Sequence, residues 1–121
     1  MTETVAVLGA SPNPARYSFK AVRMLTQYGH TVLPVNPAQT EIDGIPVVSS
    51  LGAITTPVDT LTLYVGPAQL PRLVPDILAL RPGRVIFNPG TEVPGIMQQL
   101  QAEGIPCEAA CTLVLLRSGL F

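Results

Sequence analysis

The chain has 121 residues, enough for one complete domain and too few for two, so residues 1–121 are read as a single unit. Hydrophobic residues make up 47% and charged ones 12%, which excludes a disordered chain; seven Lys and Arg against eight Asp and Glu leave a net charge of −1, with no basic run to meet a nucleic-acid backbone. Two cysteines and one histidine are too few for a structural zinc site, and no apolar stretch approaches the roughly 18 to 20 residues that span a bilayer, so the expectation is a cytoplasmic protein with no membrane and no nucleic-acid partner.

The run Thr4-Val5-Ala6-Val7-Leu8 is continuously apolar, the pattern of a parallel strand buried on both faces, and it stops at Gly9. After a polar loop, Ser18 is expected to N-cap a helix to about Tyr28, with Ala21, Val22, Leu25 and Tyr28 on its apolar side and Gly29 closing it. Thr31 to Val35 reads as a second buried strand, completing a right-handed βαβ unit. Ile45 to Val48, entered through the Asp43-Gly44 turn, is predicted as a third strand, Ser50 to Ile54 as one helical turn, and Asp59 to Val65 as a fourth, central strand.

Leu70, Leu73, Val74, Ile77 and Leu78 recur at helical spacing before Pro82-Gly83, although Pro71 and Pro75 cannot both sit inside a regular helix. Arg84 to Phe87 is a fifth strand, and Thr91 is the expected N-cap of a helix through Ile96, Met97 and Leu100 to Gly104. Ile105 to Ala109 is a sixth strand. Thr112 to Arg117 is short and apolar, and is read as helix because a Thr opens it and Gly119 follows. Strands alternating with helices over the whole length predict an α/β fold: a three-layer, Rossmann-like, doubly wound parallel sheet, ordered 3-2-1-4-5 with room for a sixth strand outside.

In such sheets ligands lie at the carboxyl ends of the strands, beside the point where the strand order reverses. Those ends carry Gly9-Ala10-Ser11, Val35-Asn36-Pro37, Val65-Gly66-Pro67 and Asn88-Pro89-Gly90, all Gly or Pro turns that offer main-chain groups and flat apolar edges and favour binding over bond-breaking. The loop from Gly9 to Ser18 is read as an anion site, built from its amides, the positive end of the following helix, Arg16 as a two-donor phosphate grip, and the Ser11 and Ser18 hydroxyls. The competing reading makes Gly9 a tight turn, Ser18 a cap and Arg16 a solvated charge. Ser11 and Pro14 stand two and five residues after Gly9, so the dinucleotide pattern G-x-G-x-x-G is absent, and Asn36 replaces the acidic residue that would take a ribose diol; NAD is disfavoured. Cys107 and Cys111, spaced C-x₃-C, fit neither a zinc pair nor a redox motif and are read first as inert, with Cys111 near the same edge as the turns; His30 is read as a surface residue.

With these residues in place, the chain resembles the small bacterial CoA-binding domain family, relatives of the CoA-binding Rossmann domain of the succinyl-CoA synthetase α subunit. The likeness rests on Gly9-Ala10-Ser11 with Arg16 and Ser18 downstream, Pro34-Val35-Asn36-Pro37, Ile42-Asp43-Gly44, Gly66-Pro67, Asn88-Pro89-Gly90 and Cys111. It implies coenzyme A or an acyl-CoA, its diphosphate at Gly9, Ser11, Arg16 and Ser18 with Ala10 among the cofactor-binding residues, its adenosine near Val35, Asn36 and Pro37, and its pantetheine arm passing Gly66-Pro67 towards Pro89-Gly90 and Cys111. Two departures stand out. Ala38-Gln39 occupy the place where family members often carry Lys, which predicts weak recognition of the 3′-phosphate unless Lys20 or Arg23 compensates, and Thr112-Leu113 follow Cys111 where many members carry Glu-His.

The leading reading is therefore a non-catalytic binding module for a CoA-type nucleotide, with a homodimer or docking to another protein left open. The alternatives are an NAD(P)-using enzyme domain that takes its catalytic groups from a partner subunit, and a degenerate fold kept as an interaction module.

Overall fold

The structure is a computed structural model and describes residues 2–121. Five parallel strands form one sheet in the order β2-β1-β5-β6-β7: β1 (Thr4–Leu8), β2 (Thr31–Val35), β5 (Thr60–Leu63), β6 (Arg84–Phe87) and β7 (Cys107–Ala109). Register aligns their carboxyl ends, with Leu8 opposite both Val35 and Leu63, Leu63 opposite Phe87, and Phe87 opposite Ala109. The chain runs outward from β1 to β2 and then returns past β1 to β5, so the strand order reverses between β1 and β5.

The period of two along each strand separates the two cores. Val5, Val7 and Val32 face helix α1 (Tyr17–Gln27) and the final helix α4 (Thr112–Ser118), which contribute Phe19, Val22, Leu25 and Leu116. Ala6, Leu8, Leu61, Leu63, Val85 and Phe87 face the opposite layer, where α2 (Val74–Leu80) and α3 (Pro94–Ala102) supply Ile77, Ile96 and Leu100. This is the expected three-layer α/β architecture. No helix of the described residues is long and apolar enough to cross a membrane.

Three local expectations are corrected. The predicted third strand is not part of the sheet: Glu41–Ile42 (β3) and Ile45–Pro46 (β4) form a small antiparallel hairpin across Asp43 and Gly44, both at positive φ, and only Val48 bridges to Val35. Val48 donates to the Pro34 carbonyl at 2.9 Å and accepts from the Asn36 amide at 3.1 Å, but neither Pro34 nor Pro46 has an N–H for the next rung, so the outer ladder of β2 stops after one bridge. Ser18 is not the N-cap of α1; that position is Arg16, and Ser18 is buried inside the first turn. An Asx turn sets the earlier start, with Asn13 Oδ1 accepting from the Ala15 amide at 3.0 Å and the Asn13 carbonyl accepting from Arg16. Thr91 is not a cap either: Pro94 fixes the first position of α3, and the buried Thr91 hydroxyl donates back to the Asn88 carbonyl at 2.8 Å. The two prolines of the following stretch are reconciled because it is two pieces, a 3₁₀ turn over Leu70–Leu73 and then α2, with Pro71 and Pro75 each in a first turn where no N–H is required.

Candidate functional site

A cleft of about 650 Å³ lies over the carboxyl ends of β1, β2 and β5, at the reversal of strand order. Its floor is set by Gly9. At φ +85° a β-carbon on this residue would lie 2.8 Å from the Tyr64 carbonyl oxygen and 3.0 Å from Val65 Cγ1, so only glycine lets the loop after β1 lie against the end of β5. The Gly9 and Ala10 amides both donate to the Val35 carbonyl, at 3.3 and 3.2 Å. Asn36 braces the same floor, its Nδ2 donating to the Ala10 carbonyl at 2.8 Å and its Oδ1 accepting from Ala38 at 2.7 Å.

These bonds change which groups remain for an anion. The Gly9 and Ala10 amides, expected to face a phosphate, are turned to β2 instead. The groups left are at the far end of the loop: α1 has no side-chain cap, and among the described residues the Tyr17 and Ser18 amides have no partner. Ser11 accepts from the Asn13 amide at 3.1 Å and keeps its own proton to donate, while the exposed Arg16 makes no ion pair among the described residues. Lys20 and Arg23 do not line the cleft. Lys20 sits 5.3 Å from the Tyr17 ring centroid, and Arg23 is paired with Asp43 at 2.9 Å, a bond that also holds the Asp43 carboxyl below its ordinary range.

The other walls carry residues that sequence reasoning missed. Ser49, Ser50 and Leu51 continue from the Val48 bridge into a 3₁₀ turn that packs against α2. Tyr64 and Val65 follow β5, and the turn leading into α2 brings Gln69, Arg72 and, one helical turn later, Asp76. Asp76 is the one carboxylate in the lining. The clue to these was topological, since Tyr64 to Arg72 follow the strand across the reversal point.

Of the residues singled out from sequence, Gly9, Ala10, Ser11, Arg16, Ser18, Val35, Asn36 and Pro37 share this cleft. Gly66, Pro67, Pro89, Gly90 and Cys111 do not line it. Gly66 and Pro67 form an exposed turn just past Val65, and Pro89 and Gly90 are exposed beyond β6. The neighbouring Asn88 is a buried tie: its Nδ2 donates to Thr62 Oγ1 at 2.6 Å and to the Leu63 carbonyl at 2.8 Å, and its Oδ1 accepts from the Thr112 amide at 2.9 Å. The Thr62 and Thr112 hydroxyls meet at 2.8 Å, so β5, β6 and α4 are locked by one polar node.

Cys111 is the half-buried N-cap residue of α4, and both cysteines are free. Burial pushes the Cys107 thiol up to about 11 and the Tyr64 phenol up to about 12; hydrogen bonding by Thr112 and Thr62 opposes the latter shift and the nearness of Cys111 adds to it. Both groups are protonated at neutral pH. His30 is half-buried at the opposite end of the sheet, where Nδ1 accepts from the Glu3 amide at 3.0 Å and the ring packs on Phe121. The cleft thus offers hydroxyls, helix amides and two arginines between apolar walls.

The sequence profile of the family described as "CoA binding domain" matches residues 3–117. YneT of Bacillus subtilis (strain 168) is 32% identical over 77 residues, which are 64% of this chain and 57% of that protein, so the chain matches little more than half the length of this curated relative. A solved Thermus thermophilus protein is 38% identical with a TM-score of 0.89, covering 98% of this chain and 90% of that one. Dinucleotide-forming acetyl-coenzyme A synthetase 1 of Ca. Korarchaeum cryptofilum is similar in fold alone, at 18% identity and a TM-score of 0.76, over 89% of this chain and 25% of the synthetase.

Proposed function

This chain belongs to the CoA-binding domain family, and from that premise we propose that the cleft over β1, β2 and β5 binds coenzyme A or an acyl-CoA without covalent chemistry of its own. The observation that carries the reading is the coincidence, in one cleft, of the uncapped start of α1 with the unpaired Arg16 and the Ser11 hydroxyl. Together they are a seat for a diphosphate. The adenosine half lies against Val35 and Pro37, with Asn36 fixing the floor beneath it. The arm leaves the cleft along the carboxyl edge of the sheet, past Gly66 and Pro67 towards Pro89, Gly90 and the Cys111 loop.

One observation favours a second reading. Asp76 places a carboxylate in the cleft, the group a ribose diol takes in dinucleotide sites, so an NAD(P)-using domain is the alternative. A thermal-shift and calorimetric panel of CoA, acetyl-CoA, NAD, NADP and ATP decides between them. A ligand at about 100 times its Kd adds roughly 2.7 kcal/mol of stability. The expected result is stabilisation by CoA and acetyl-CoA; stabilisation by NAD with none by CoA overturns the proposal.

A further inference from the structure

Resting on that reading of the cleft, we infer that Arg72 is a second phosphate grip, which recognises the 3′-phosphate of the ribose and makes the site selective for CoA over dephospho-CoA. The turn after β2 has Ala38 and Gln39 where a cation would be wanted, and the two candidates on α1 are committed elsewhere, Arg23 to Asp43 and Lys20 over the Tyr17 ring. Among the described residues, Arg16 and Arg72 are the cations that line the cleft, and neither is held by an ion pair.

The two arginines come from different layers. Arg16 belongs to the β1–α1 loop on one side of the sheet, whereas Arg72 lies in the 3₁₀ turn that enters α2 on the other. The position of α2 sets which part of the ligand Arg72 meets. α2 packs against the 3₁₀ turn Leu51–Ala53, and Ser49 to Leu51 follow directly on Val48, which is bridged to Val35 at the adenosine end of the cleft. Arg72 shares its cleft lining with Ser49 to Leu51, and this wall is taken as the side that meets the ribose. A ligand with one phosphoryl cluster leaves it idle; a nucleotide with a second phosphoryl on the ribose uses both. Asp76, one turn along, repels a phosphate brought to this wall without a cation, so Arg72 also offsets the carboxylate beside it.

Calorimetry with CoA and dephospho-CoA on the unchanged protein, Arg72→Ala, Arg72→Lys and Arg16→Ala tests this. The unchanged protein is expected to prefer CoA by about ten- to a hundredfold, the range for hydrogen bonds to a charged group. Arg72→Ala abolishes the preference by weakening CoA alone, Arg72→Lys restores part of it, and Arg16→Ala weakens both ligands together. Equal binding of the two ligands by the unchanged protein, or an Arg72→Ala loss shared by both, overturns the inference while the reading of the cleft stands. Binding of neither ligand overturns the reading of the cleft, and this inference with it.

Discussion

The backbone of Gly9 and the carbonyl of Tyr64 approach so closely that a single added methyl would stand 2.8 Å from the carbonyl oxygen. Gly9→Ala is expected to destabilise the fold by about 1 to 3 kcal/mol from the positive φ alone, before the clash is counted. The loop must then lift off β5, so CoA binding is lost along with stability. Urea unfolding and calorimetry on the same variant check this. Wild-type stability with wild-type binding would show that the loop is free to lie elsewhere.

Asn88 is expected to behave as a structural residue. Asn88→Ala strands the Thr112 amide and the Leu63 carbonyl, each buried, and each unsatisfied group costs about 1 to 3 kcal/mol. Chemical denaturation should report that loss. A variant of unchanged stability that binds CoA poorly would return this residue to the ligand.

Arg16→Ala is expected to weaken CoA binding by about 1.5 to 3 kcal/mol, with little effect on folding because the side chain is exposed and unpaired. Raising the salt concentration should weaken the unchanged protein towards the variant, since the contact is between exposed charges. Affinity independent of both changes would move the phosphates to another part of the chain.

Stability should fall in alkali. Tyr64 and Cys107 are kept neutral in the folded chain, at about 12 and about 11, against ordinary values of 10.0 and 9.0 that apply once unfolded. Their contribution is complete below the lower, unfolded value and is lost as pH rises through the folded one. For Tyr64 the window is from 10.0 to about 12, and the loss is on the order of 2 kcal/mol; the thiol contributes less, being more exposed. Equilibrium unfolding as a function of pH should show the decline, and Tyr64→Phe should flatten its upper part. A Tyr64→Phe profile that overlays the unchanged protein would place the phenol in water.

The strands buried on both faces were legible because continuous apolar runs such as Thr4 to Leu8 and Thr31 to Val35 have few other uses in a chain this short. The third strand is cut short by a proline in each of the two segments, Pro34 and Pro46. Ile45 to Val48 is largely apolar, but beyond the rung that Asn36 and Pro34 make with Val48 neither proline has an N–H to extend the pairing. The cleft was legible in part. Gly9, Ser11 and Arg16 could be read from a strand, a glycine turn and a helix start in succession, whereas the fate of the Gly9 and Ala10 amides follows from the register that sets Leu8 beside Val35. Arg72 has no local motif. Its place in the cleft follows from the path of the chain after β5, which no local pattern announces.

The interrupted ladder beside β2 also bears on how this protein behaves in company. The outer edge of a sheet is a template on which the strand of another molecule can grow. On β2 that edge carries Pro34, which accepts one bond from Val48 and offers no hydrogen of its own, with Val48 already occupying the place a foreign strand would take. The residue that denies the sheet a sixth strand from its own chain denies one to every other chain, and so guards this side of the molecule against edge-to-edge aggregation.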